Sequence, residues 1–368
     1  MKKLLLTILL GLYICPWVSA DIIELTNNRT VTGKVIEQTD EYVRLKTDSG
    51  ISITFYTEEI VGVSINVTDR PAVEEVTINP PVQKESGRTL TLTTAVSPAP
   101  KNTNPSIKNF LWQVTSPNDP NKKAYLFGSI HFGKANMYPL NSVIENAFAE
   151  SDVLAVEANV KDINMVRTAE QITEYGILSD DDHIKNYLKP KTYQRFQKQL
   201  EQFGMPDFTF SNFRPWMAAM TLVVLQIKDL GFEEKLGVDY YFLTKAEETG
   251  KAIAELESVE FQMQLFQTID GDLFMQYTLD SIEETEKMLN TLIKAWKTGD
   301  TTSLEKVAIT DVMKKSPETA HIMDKVLYNR NPGMVNKIKN YLETGQTHFV
   351  VVGAGHLLQE RGIVELLR

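Results

Sequence analysis

Two stretches of the chain repeat one pattern, an apolar run followed by Gly-x-x-His. Tyr125-Leu126-Phe127 runs into Gly128-Ser129-Ile130-His131, and Phe349-Val350-Val351-Val352 runs into Gly353-Ala354-Gly355-His356. Two further apolar runs lead to carboxylates: Val153–Val156 to Glu157, and Ala252-Ile253-Ala254 to Glu255-Leu256-Glu257. Ligands of open α/β sheets bind outside the carboxyl ends of the strands, so strand ends carrying His, His, Glu and Glu aim at one crevice. Glycines at 128, 353 and 355 let the backbone turn tightly and approach a ligand. A lone strand-end histidine is usually structural; two copies of the pattern in a chain with only 5 histidines shift the balance towards function. Glu157, closing an apolar run, is a half-buried carboxylate that needs a partner. Glu255 and Glu257 alternate along one strand, so a single register turns both to the site.

A third segment is Tyr328-Asn329-Arg330-Asn331-Pro332. Asn331 before Pro332 reads as an N-cap and first-turn pair opening a helix over 332–344, or else as a site residue. Arg330 then stands just ahead of a helix N-terminus, where a cation is disfavoured, which implies a carboxylate or an anionic ligand beside it. The other histidines have plainer readings: His183 follows the acidic run Asp180-Asp181-Asp182 and is exposed, His321 lies in a helical pattern, and His348 opens a strand at a surface position. His-Glu-x-x-His, the phosphate loop, the Gly-x-Ser-x-Gly elbow and the dinucleotide fingerprint are all absent from the sequence.

The elements that must position these groups are short strands separated by long helical patterns. Phe110–Val114, Ala124–Phe127, Val153–Val156, Lys251–Leu256 and His348–Val352 read as strands. Leu140, Val143, Ile144, Ala147 and Phe148 mark one face of a helix, Met288, Leu289, Leu292, Ile293 and Trp296 another, and Val335, Ile338, Tyr341 and Leu342 a third. Trp216–Ile227 reads as a buried helix. This interleaving predicts an α/β domain over 109–368, a central mixed β-sheet surrounded by helices. Five short β-branched runs over 21–66, parted by turn signals, predict a small SH3-like or Sm-like β-barrel. Between them, 67–108 holds 6 of the 15 prolines and reads as a semi-extended linker.

Residues 1–20 read as a signal peptide: Lys2 and Lys3, an apolar core from Leu4 to Ile14 too short to span a bilayer, and Val18-Ser19-Ala20 before Asp21. Cleavage there removes Cys15, the only cysteine, and leaves 36 basic against 48 acidic residues, a net charge of −12. The mature chain then has neither a disulfide nor a thiolate ligand, so a metal site would draw on His, Asp and Glu. An acidic chain has no basic footprint for nucleic acid or anionic lipid. The expected place is extracytoplasmic, periplasmic or secreted, with no stable membrane anchor after cleavage.

Segments 125–157, 236–262 and 328–368 resemble the TraB/GumN (TraB/PrgY/GumN) family, which includes the Tiki proteins, membrane-tethered metal-dependent proteases. The paired Gly-x-x-His motifs and Arg330-Asn331 carry the resemblance, which covers about 110–368 and leaves out the barrel and the linker. It implies a site core of His131, Glu157 and His356 with Arg330 and Asn331 beside it. Such a set suits a divalent metal, since two imidazoles and a carboxylate leave room for water; Mn²⁺, Co²⁺, Fe²⁺ and Zn²⁺ all remain open. Glu257 or Glu255 is then a general base, and Arg330 orients a substrate carboxylate or stabilises an oxyanion. The expected assignment puts Glu257, Arg330 and Asn331 in catalysis, with Arg330 and Glu255 holding substrate. The function implied is a metal-dependent peptidase acting on a peptide or protein substrate. Its rivals are a protein that sequesters a peptide or small ligand, and a metal-free hydrolase with a His/Glu acid–base pair.

Overall fold

The computed structural model of the protein describes residues 21–26, 30–39, 41–46, 52–64, 109–116, 119, 121–162, 164–314 and 317–368. The expected signal peptide and the linker over 67–108 lie outside the described residues. The chain divides into two units, one spanning 19–103 and the other containing 104–368.

In the first unit β1 (Asp21–Leu25), β2 (Thr30–Gln38), β3 (Tyr42–Lys46), β4 (Ser52–Tyr56) and β5 (Ile60–Ser64) form an antiparallel sheet in the order β4-β3-β2-β1-β5. The period of two is plain in β3, where Val43 and Leu45 are buried and Tyr42 and Arg44 are not. With Ile23 and Val35 they make the small core. Pairing of β4 with β5, which would close the expected barrel, is not among the described pairings.

The second unit is built on β6 (Leu111–Thr115), β7 (Lys123–Ser129), β8 (Val153–Val156), β9 (Ala252–Glu255) and β10 (His348–Gly353), in the order β6-β7-β10-β8-β9. β6 runs antiparallel to β7 and the remaining pairs are parallel, a mixed sheet. The principal helices are α1 (Ser142–Glu150), α2 (Met165–Gly176), α3 (Pro190–Gln202), α4 (Pro215–Asp229), α5 (Val238–Thr249), α6 (Val259–Gln267), α7 (Gly271–Ser281), α8 (Thr285–Thr298) and α9 (Asn331–Glu343). Parallel strands covered on both faces carry continuous apolar runs, and β8 and β10 are buried throughout. Tyr125, Phe127, Leu154, Val156, Phe349 and Val351 face the large helical layer, where Phe127 meets Phe242 of α5 and Trp296 of α8. Leu126, Ala155, Val350 and Val352 face the other way, against Met334, Val335 and Ile338 of α9. Among the described residues no helix is long and apolar enough to cross a membrane.

Candidate active site

Strand order brings the chemistry together. β10 lies between β7 and β8, with Gly353 opposite Ser129 and Val351 opposite Val156. Three adjacent parallel strands therefore deliver His131, His356 and Glu157 to one end of the sheet. β9, on the far side of β8, delivers Glu257, and the Glu257 N–H donates to the Glu157 carbonyl at 2.7 Å. A Cβ on Gly128 would stand 3.0 Å from the Ala354 Cα, so glycine is what lets the two Gly-x-x-His turns touch.

Arg330 is the hub. Its Nη2 donates to Glu157 Oε2 at 2.6 Å and to Glu257 Oε2 at 2.5 Å, and its Nε reaches Glu257 Oε1 at 3.0 Å. Nη1 donates to the Val326 carbonyl at 2.8 Å. That carbonyl belongs to Asp324–Tyr328, wound as a wider π turn, a distortion that recurs at functional sites. The other Glu157 oxygen accepts the Gly353 N–H at 2.7 Å. Side-chain exposure is 1% for Arg330, 2% for Glu157 and 7% for Glu257, so water screens little of this network. Burial opposes ionisation of Glu157 and outweighs the Arg330 guanidinium, so its carboxyl titrates above the usual carboxylate range.

Each histidine is held by Nδ1. His131 Nδ1 lies 2.7 Å from Asp239 Oδ2, whose other oxygen accepts the Ser129 hydroxyl at 2.8 Å. Asp239 stands in the first turn of α5, where a carboxylate complements the helix dipole. Gly237, at the N-cap of α5, lets that helix start against the His131 turn: a Cβ there would lie 2.1 Å from the His131 carbonyl oxygen. Burial disfavours a charged His131, but the Asp239 carboxylate beside it outweighs burial and lifts the imidazole above the ordinary histidine value. His356 Nδ1 lies 2.6 Å from Asn331 Oδ1, and Asn331 Nδ2 donates to the Arg361 carbonyl at 2.8 Å. An Asn oxygen accepts only, so His356 carries its proton on Nδ1 and turns Nε2, 3.8 Å from Glu157 Oε1, to the cluster.

His131, Glu157, Glu257, Arg330, Asn331 and His356 thus stand in one buried cluster. Glu255 does not: β9 ends at Glu255, the alternation stops there, and the Glu255 carboxylate accepts the Asn159 N–H at 2.5 Å on the exposed side. Asn331 is not the N-cap of α9. Arg330 occupies that position, and the Asn331 side chain turns inwards to His356 instead. His348 is buried rather than exposed, its ring stacked on Tyr341 of α9. His183 is only partly buried and its Nδ1 accepts the Lys185 N–H at 3.0 Å, while His321 borders a groove of about 300 Å³ with Asp270, Glu318 and Lys325, apart from the cluster. Arg330 is committed to two carboxylates and a carbonyl, which leaves the expected oxyanion role without geometric support.

The expected metal set meets the same obstacle. Two imidazoles anchored at Nδ1 have the orientation of metal ligands, but both Glu157 oxygens are engaged, one by a guanidinium. Among the described residues no three His, Asp or Glu side chains are grouped to hold an ion. As arranged, the donors do not fit a divalent metal.

Two members of the cluster escape a reading by motif. Asp239 is one polar residue in the helical run Val238–Phe242, and Gln262 lies within α6; only Gly237 just ahead of Asp239 hinted at a close approach.

Residues 110–368 match the sequence profile of the TraB/PrgY/gumN family. The chain is 26% identical over 250 residues to the uncharacterized protein YbaP of Shigella flexneri, covering 67% of this chain and 89% of that protein. YbaP of Escherichia coli (strain K12) matches with the same identity and coverage. Metalloprotease TIKI1 of Danio rerio is 23% identical over 317 residues, 71% of this chain and 62% of its own length. No solved structure gives a significant match.

Proposed function

The chain belongs to the TraB/PrgY/gumN family, and from that premise we propose that it is a hydrolase of peptide bonds working by acid–base chemistry at the strand-end cluster. The observation that carries this is the His131–Asp239 pair, 2.7 Å apart and buried beside the Arg330-bound carboxylates. Asp239 fixes the proton of His131 on Nδ1 and leaves Nε2 as the acceptor for a proton from an attacking water. The His131 imidazolium so formed returns that proton to the leaving amine, while Glu157, whose oxygens accept from the Gly353 N–H and from Arg330, anchors the guanidinium in the cluster. His356 is held by Asn331 with its Nε2 3.8 Å from Glu157 Oε1. His131 and His356 are 1% and 0% exposed, so substrate reaches these groups only after the side chains around them move.

A second reading, a metal-dependent peptidase, is favoured by the Nδ1 anchoring of both imidazoles and by the similarity to metalloprotease TIKI1. It needs Arg330 to leave Glu157. Cleavage of a peptide library, followed by mass spectrometry with and without chelator, separates the two. On the acid–base reading, His131→Ala and Glu157→Gln abolish cleavage, Asp239→Asn lowers kcat by ~10²–10⁴ with KM little changed, and chelator has no effect. Chelator-sensitive cleavage restored by Mn²⁺, Co²⁺, Fe²⁺ or Zn²⁺ would replace the acid–base reading with the metal one. Tight binding with no cleavage would make the protein a peptide-sequestering one.

The location proposed is outside the cytoplasm, after cleavage behind Ala20; a retained Met1 in N-terminal sequencing of exported protein would sink it. The order β4-β3-β2-β1-β5, with β5 returning beside β1, supports an SH3-like or Sm-like barrel there.

A further inference from the structure

Gln262 is buried in the middle of α6, 1% exposed, although a glutamine in a helix interior has no structural need to be. Its Nε2 donates to Glu257 Oε2 at 3.2 Å and to Glu157 Oε2 at 3.4 Å. Its Oε1 is buried and has no hydrogen-bond partner among the described residues. Turning the amide over is not an escape, because an oxygen would then face two carboxylates. The carboxylates therefore fix the orientation, and they fix it with an acceptor left over. A buried acceptor with no donor costs free energy that an apolar side chain of similar volume avoids. Oε1 sits one amide carbon away from the nitrogen that touches both site carboxylates, so a donor that reaches it stands within the same cluster.

We propose that Gln262 Oε1 accepts a hydrogen bond from a backbone N–H of the substrate peptide, so that Gln262 positions the chain against Glu157 and Glu257. This rests on the reading of the cluster as a site that takes peptides. A site built to hydrogen-bond a donor discriminates strongly against the analogue that lacks it, because the buried acceptor is then left unpaired.

The test is an amide-to-ester scan, in which each non-scissile backbone N–H of one peptide is replaced in turn by oxygen, removing the donor without adding bulk. KM is measured for a cleaved peptide, or Kd by isothermal titration for one that binds uncut. In the wild type one replacement raises KM or Kd at least tenfold. In Gln262→Met, of similar volume but without the acceptor, the same replacement changes it less than threefold. The proposal is overturned if no single ester costs the wild type more than threefold, a result that stands even if Gln262→Met does not fold. It is equally overturned if the same penalty persists in Gln262→Met. A peptide bound but never cut, with its penalty intact, sinks the hydrolase reading and leaves the role of Gln262 in place. A peptide cut without any penalty does the reverse, and no peptide bound or cut sinks both.

Discussion

Arg330 is hydrogen-bonded to both carboxylates of the cluster, and its side chain is 1% exposed. Losing one partner of a buried ion pair is costly because the remaining charge keeps its desolvation penalty and loses its attraction. Here two charges would be stranded at once. Arg330→Met should therefore lower the unfolding free energy by about 3–5 kcal/mol in a urea melt. Adding Glu257→Gln removes one stranded charge, so the double variant should be more stable than Arg330→Met alone. A loss under about 1 kcal/mol, the range of exposed pairs, would mean that water reaches the carboxylates in the folded state. This much of the site was legible in the sequence: a cation ahead of a helix N-terminus called for a carboxylate, and Glu157 closing an apolar run called for a cation. The positions of Asn331 and Glu255 were not. A cap and an inward-pointing amide have the same sequence signature, and alternation along β9 predicts facing only while the strand lasts.

At the level of elements, the site exists because β10, last in sequence among the strands, inserts between β7 and β8. The strands themselves were readable from short apolar runs, to within a residue or two at each end. Their order was not, since nothing local in β10 says which neighbours it takes. The burial of His348 follows from that insertion and from α9 laid over the same face: its ring stacks on Tyr341 with centroids 4.2 Å apart, and Nδ1 lies 3.2 Å from the Gln346 carbonyl. Burial lowers its pKa, outweighing that carbonyl and the Asp152 carboxylate, which both favour the charged ring. The folded value is thus below the unfolded one of about 6.5. Its contribution to stability is present above the unfolded value and is lost as pH falls through the folded one. His348→Phe keeps the stacking and removes the titration. Its melting temperature should gain on the wild type between pH 7.5 and pH 5; parallel curves over that range would show that the ring is protonated without cost in the fold.

Over the whole molecule, every residue of the candidate site and both large cores come from positions 110 onward. Among the described residues the first unit buries Ile23, Val35, Val43 and Leu45 at its centre. The second unit is large enough to fold independently, with a sheet covered on both faces. Residues 109–368 expressed alone should consequently unfold in one cooperative transition at the melting temperature of the main transition of the full chain. They should also keep whatever peptide binding or cleavage the full chain has, within about twofold, since no site group is lost and long-range additivity holds for separate units. Limited proteolysis of the full chain should cut within 67–108 first and leave a fragment starting near 109. Cleavage inside the sheet-and-helix unit with 67–108 intact would move the boundary. A truncated chain that melts earlier or loses activity would overturn the independence of the second unit.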